Sequence, residues 1–159
     1  ALGLDFSARA ARCNEYIAAM KALWGADPVT FSGETVSITN AQSNPKPVQS
    51  PHPPIFVGGE STPALRRVAA LADGWYGYGV APEAIADRLS RLDDHLAAVG
   101  RTRSEIKVYV CPNRLRVTPE IAAAYAQAGV DQLIMPLFAS GLDDLDRRID
   151  AVHTAAGMS

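Results

Sequence analysis

Residues 45–75 read PKPVQSPHPPIFVGGESTPALRRVAALADGW, and the order of residue types along them decides the fold. Prolines stiffen the approach, Ile55, Phe56 and Val57 make a short apolar strand, and Gly58-Gly59 breaks it. Thr62 is the expected helix N-cap and Pro63 the first helical residue, with Ser61 beside them. Asp73-Gly74-Trp75 closes that helix and opens another strand. A strand, a glycine turn and a helix N-terminus in this order make a place for an anion. Glycines let the backbone approach it, and free N–H groups, hydroxyls and the helix dipole favour negative charge. The same residues also suit an ordinary β–α turn in which Gly-Gly only accommodates positive φ, and the local motif does not separate the two.

Downstream the rhythm repeats. A strand is expected over 75–80, then a helix over 82–99 with Ile85, Leu89, Leu92, Leu96 and Val99 on one stripe and Gly100 as its stop. Residues 106–117 read as a strand interrupted at Pro112. Thr118-Pro119-Glu120 cap and start a helix that ends at Gly129. Residues 132–135 are nearly all apolar, as for a strand buried on both faces, and Leu142, Leu145, Ile149 and Val152 mark a last helix.

Upstream, 7–23 has Cys13, Tyr16, Ile17, Met20 and Leu23 at helical spacing, with Trp24 continuing the stripe and Arg9, Arg12 and Lys21 facing away. Residues 29–31 and 35–38 flank Ser32-Gly33-Glu34 as a small hairpin, and 40–54 is a proline-rich loop. Helix, hairpin and four β–α units imply an α/β fold with parallel strands and right-handed crossovers. Four units do not close a (β/α)₈ barrel, which takes about 250 residues. The chain is then either an open α/β sandwich or half of a barrel; the second is the expectation, a single domain, residues 1–159, forming a partial TIM barrel. Ala1-Leu2-Gly3 looks like the entry to a helix whose strand is missing.

At 159 residues, 48% hydrophobic and 20% charged, the chain has the composition of a globular domain. A net charge of -2 leaves no electrostatic footprint for nucleic acid or an anionic membrane. No apolar run approaches the length of a membrane span. Cys13 and Cys111 lack metal-type spacing and are expected as free, buried thiols, which points to a cytoplasmic location.

No nucleophile–base pair, HExxH, Walker loop or full dinucleotide fingerprint is present, and no catalytic or metal-binding residue is assigned. His52, His95 and His153 read as structural or solvated, as do Asp93-Asp94, while Asp143-Asp144 suit a helix N-terminus. Arg66-Arg67 read as a solvated helix face within reach of a phosphate. Trp75, Tyr76 and Tyr78 alternate with glycines, so Trp75 and Tyr78 are candidates for the wall of a substrate pocket, or else core aromatics.

Six segments at linked separations resemble the luciferase-like monooxygenase superfamily of flavin- and deazaflavin-dependent oxidoreductases. ARCNEYIAAMKALW resembles the helix after its fourth strand, and VTFSGETVSI its small hairpin. PKPVQSPHPPIFVGG is similar to its fifth strand and phosphate turn, and ALRRVAALADGW to the next helix and sixth strand. GRTRSEIKVYV and AGVDQLIMP resemble its seventh and eighth strands. The resemblance implies the C-terminal half of a (β/α)₈ barrel, with Gly58, Gly59, Ser61 and Thr62 on a cofactor phosphate. Its style is closer to F420-dependent members than to luciferase itself, which implies hydride transfer with F420 and an unidentified small organic substrate. Reduced FMN with O₂ in a monooxygenase is the alternative. A third possibility is a non-catalytic half barrel that associates with itself or with a missing N-terminal half. The residues that meet the reactive ring are expected upstream of Ala1, so the chain alone is expected to be inactive.

Overall fold

The computed structural model describes residues 5–157, in two compact units, 1–54 and 55–159. Ala1-Leu2-Gly3 lies outside the described residues.

In the first unit, α1 (Arg9–Trp24) precedes an antiparallel hairpin of β1 (Val29–Ser32) and β2 (Ser37–Ala41). The second strand starts two residues later than expected because 33–36 form the turn. Gly33 N–H donates to the Val36 carbonyl at 2.9 Å, and the Glu15 carboxylate of α1 accepts from the Thr35 N–H and hydroxyl. The proline-rich segment is tied to the end of α1 by Lys46 Nζ, which reaches the Leu23 carbonyl and Asp27. Ile17 and Ala19 are buried, but Cys13, Tyr16 and Met20 are exposed. The burial expected of Cys13 is thus corrected, because its edge of the helix is uncovered; Cys111, inside the second unit, is buried.

The second unit is a four-stranded parallel sheet in the order β3 (Phe56–Gly58), β4 (Gly74–Tyr78), β5 (Lys107–Cys111) and β6 (Gln132–Leu133). Helices α2 (Thr62–Leu71), α3 (Pro82–Ala98) and α4 (Pro119–Gln127) connect successive strands, and α5 (Leu142–Ala155) follows β6. Val57, Trp75, Val108 and Val110 alternate onto one buried face, and Leu65, Val68, Ile85, Leu89, Leu92 and Leu96 are the buried residues of α2 and α3. The opposite face carries Phe56, Tyr76 and Tyr109, each half-buried. Phe56 and Tyr109 stack at 4.2 Å across Gly74, where a Cβ would lie 2.2 Å from the Phe56 ring. Gly74 is therefore a close-approach glycine in mid-sheet.

Several expected boundaries move for identifiable reasons. β5 stops at Cys111 because Pro112 has no N–H for the ladder. Val99 falls beyond the last turn of α3 and is 50% exposed. Thr118 caps α4 as expected, accepting from Ile121 N–H, whereas Ser61 rather than Thr62 occupies the N-cap of α2. The stripe of α5 is present, yet Leu142 is 78% exposed and Leu145, Ile149 and Val152 are only half-buried.

Two aspartates set strand register in the same way. Asp73 Oδ2 accepts from Ile55 N–H at 2.7 Å, and Asp131 Oδ2 from Val108 N–H at 2.7 Å. Each also donates its own N–H to the carbonyl of the residue it clamps. Asp131→Ala is expected to cost about 1–3 kcal/mol, because it strands a strand N–H without its acceptor. Asp131→Asn, which keeps a carbonyl oxygen, should lose less. Denaturant titration checks both, and an unchanged midpoint for Asp131→Ala would remove the clamp from the account. No helix among the described residues is long and apolar enough to cross a membrane.

Candidate functional site

The glycine turn lies where β3 ends and α2 begins. Gly59 has φ +102°, and a Cβ there would sit 3.0 Å from Ala64 Cβ. Both backbone and space therefore require glycine at 59. Gly58 differs, since a Cβ would meet only the Tyr76 carbonyl oxygen at 3.5 Å, an ordinary contact. Ser61 at the N-cap makes no side-chain capping bond. The first-turn N–H groups of Thr62 and Ala64 have no acceptor within the helix, and Pro63 has no N–H to satisfy. Ser61 and Thr62 are exposed, so both hydroxyls are available beside these donors.

The turn is held from below by Trp75. Its indole Nε1–H donates to the Gly59 carbonyl at 2.9 Å, and the side chain has no exposed surface. Of the two readings of Trp75, pocket wall or core aromatic, its full burial fits the second, and the ring supports the glycine turn from the core. Glu60 places a carboxylate in the turn itself, but Arg88 Nε of α3 holds it at 2.7 Å, and Arg91 donates to the Glu60 carbonyl at 3.1 Å. Its carboxylate in turn raises Arg88, with Asp87 adding to the effect. Two arginines on α3 thus engage a residue that would otherwise repel an anion. The sequence reading missed this group, whose only linear trace is Arg88 and Arg91 at i, i+3.

At the end of β4, Tyr78 is 61% exposed and its hydroxyl donates to Asn113 Oδ1 at 3.1 Å. Asn113 follows β5 in the left-handed region at φ +57°. It was not foreseen, although asparagine after proline at a strand end is a turn signal. Tyr76 lies deeper, and burial, then the hydrogen-bonded Cys111 thiol, hold its phenol above the ordinary value. Burial likewise raises the Tyr125 phenol, which donates to the Val80 carbonyl at 2.7 Å and joins α4 to the end of β4. Arg66 is exposed and Arg67 half-buried on α2. His95 and His153 lie in the last turns of α3 and α5, away from the turn in sequence, and His52 is in the first unit. Gly58, Gly59, Ser61 and Thr62 lie on the turn from the last residue of β3 to the first of α2, and Tyr78 stands at the same, C-terminal end of the parallel strands.

The class this defines is an α/β protein with a glycine turn at the carboxyl end of a parallel sheet. The chain belongs to the luciferase-like monooxygenase family, whose model matches residues 1–157. It is 31% identical over 107 residues to an FMNH(2)-dependent dimethylsulfone monooxygenase of Pseudomonas putida, covering 67% of this chain and 29% of that protein. To an uncharacterized protein of Mycobacterium tuberculosis it is 30% identical over 145 residues, covering 89% of this chain and 49% of the relative. The chain thus spans about half or less of the curated relatives it matches. Its fold is similar to that of the coenzyme F420-dependent tetrahydromethanopterin reductase of Methanopyrus kandleri, with TM-score 0.73, 13% identity, and coverage of 92% of this chain and 62% of that one.

Proposed function

We propose that this chain carries the cofactor-phosphate end of an F420-dependent oxidoreductase and forms the C-terminal half of a (β/α)₈ barrel. The observation that carries the reading is the turn at Gly59: a positive-φ glycine, two available hydroxyls and the uncapped N-terminus of α2 converge on one loop. The residues fit a phosphate. Gly58 and Gly59 would let it approach the backbone, Ser61 and Thr62 would donate hydroxyls, and the Thr62 and Ala64 N–H groups would face its charge. When bound, a deazaflavin supplies hydride transfer at its ring. The groups named here would hold the opposite end, with Glu60 drawn off by Arg88 and Trp75 fixing the loop from below. Tyr78, at the same end of the sheet, would contribute to the wall for a small organic substrate.

Reduced FMN with O₂ is the second reading, favoured by the match to an FMNH(2)-dependent monooxygenase. Both require a phosphate grip, and one titration series on the full-length protein addresses them. F420, FMN and riboflavin, which lacks the phosphate, are titrated by fluorescence quenching. At least tenfold tighter binding of a phosphorylated cofactor than of riboflavin is expected, a difference of about 1.4 kcal/mol or more. Riboflavin binding as tightly as FMN would sink the phosphate turn, and tight FMN binding without F420 affinity would replace the first reading with the second.

A further inference from the structure

A cleft of the second unit lies apart from the glycine turn. It has a volume of about 1120 Å³ and is walled by the segments after β5 and β6 together with α4 and α5. At 113–118 and 135–138 its wall is formed by chain leaving the carboxyl ends of parallel strands, where open α/β sheets place ligands. Its lining is predominantly apolar, including Leu115, Met135, Leu137 and Phe138. Phe138 is 76% exposed, and Leu115 and Leu137 are 40% and 39% exposed. Large apolar side chains held together at a surface mark a place where something else is buried.

The same wall carries Arg114 and Arg116, both exposed, and neither has a hydrogen-bond or ion-pair partner among the described residues. Arg148, also in the lining, is different because Asp144 holds it at 3.1 Å. The cationic capacity left over therefore sits beside Leu115, on the segment after β5. An apolar cleft with two guanidinium groups that have no protein partner among the described residues is complementary to a molecule with a long apolar body and one anionic head.

We propose that this cleft binds an amphipathic anion, an apolar chain or ring ending in one carboxylate, sulfonate or phosphate, with Arg114 and Arg116 on the head and Leu115, Leu137 and Phe138 along the body. This assigns a substrate class to the enzyme and rests on the reading of the strand ends as the ligand-binding side. Arg114 and Arg116 are specificity-determining here, and their charge selects the head group while the apolar wall binds the remainder indiscriminately.

The test uses the full-length protein, with decanoate and decanol below their micelle and solubility limits, by isothermal titration calorimetry. Decanoate is expected to bind about tenfold more tightly than decanol, since a charge-assisted hydrogen bond contributes on that scale. The Arg114→Gln/Arg116→Gln double variant should abolish the difference, with decanol affinity held within about twofold as a control on folding. Phe138→Ser should weaken both ligands together. Equal affinity of the unaltered protein for the two, no binding of either, or a preference that survives the double substitution would each overturn the proposal. FMN and F420 titrated on the same samples keep the outcomes separable. Gly59→Val should lose the cofactor and retain decanoate, whereas failure of the unaltered protein to bind either cofactor sinks the phosphate reading alone.

Discussion

Replacement of Trp75 by alanine is expected to unfold the second unit or leave it marginally stable. Trp75 is fully buried, and its removal takes away the largest apolar group in the sheet-helix core. Large aromatic-to-alanine changes in cores cost about 3–5 kcal/mol. The Gly59 carbonyl also loses the indole donor that meets it at 2.9 Å. Set against a total stability of about 5–15 kcal/mol for a typical domain, this is a large fraction. Trp75→Phe separates the two contributions, because a phenyl ring retains most of the packing but has no N–H. It should cost less in a denaturant titration, yet still loosen the turn and weaken FMN or F420 binding relative to riboflavin. A Trp75→Phe protein with full cofactor affinity would show that the indole bond contributes only to the core.

The second large effect is expected at Gly59, and it is asymmetric with its neighbour. Gly59→Val puts a β-branched side chain at φ +102° with its Cβ 3.0 Å from Ala64 Cβ. Strain of this kind costs about 1–3 kcal/mol, so either the loop or the first turn of α2 shifts. Both hold the proposed phosphate donors, and FMN or F420 affinity should fall by tenfold or more, about 1.4 kcal/mol at the least. Gly58→Ala meets only ordinary van der Waals contact within the protein at 3.5 Å, so the turn should keep its shape and the loss of affinity should be smaller than at Gly59. Cofactor titration of the two variants checks the contrast. Equal losses at 58 and 59 would mean that the turn tolerates no side chain for reasons other than the geometry described.

Much of this arrangement is legible in the linear sequence. The alternation of 56–58, 62–71 and 74–78 is recovered to within a few residues, because apolar period, proline at a helix start and glycine at its ends are local signals. The loop that carries Gly58, Gly59, Ser61 and Thr62 is legible for the same reason: its residues are consecutive. The role of Trp75 was not. A strand aromatic reads equally as a pocket wall or as core, and only the packing of α2 and α3 over that face of the sheet buries it. The same holds for Glu60 with Arg88, 28 residues apart, and for Tyr78 with Asn113, 35 apart, which parallel crossovers bring together.

The exposed edge of α1 and the half-covered stripe of α5 follow the same logic in reverse. Helical spacing at Tyr16 and Met20, or at Leu145 and Ile149, dictates that an apolar face exists but carries no information on what covers it. By itself, then, the sequence determined the element order, the α/β class, the family and the position of the glycine turn. Element order, class and turn position rest on residues within a few positions of one another, and the family on six such segments at linked separations. The tertiary structure alone decided that Gly59 and not Gly58 is obligatory, that Trp75 supports the turn from inside, and that Glu60 is drawn to α3. It also gathered Arg114 and Arg116 with the apolar side chains after β6 around one cleft. Those properties depend on which strands lie side by side, and the order of the sheet is set by packing over the whole unit rather than by any stretch of the chain.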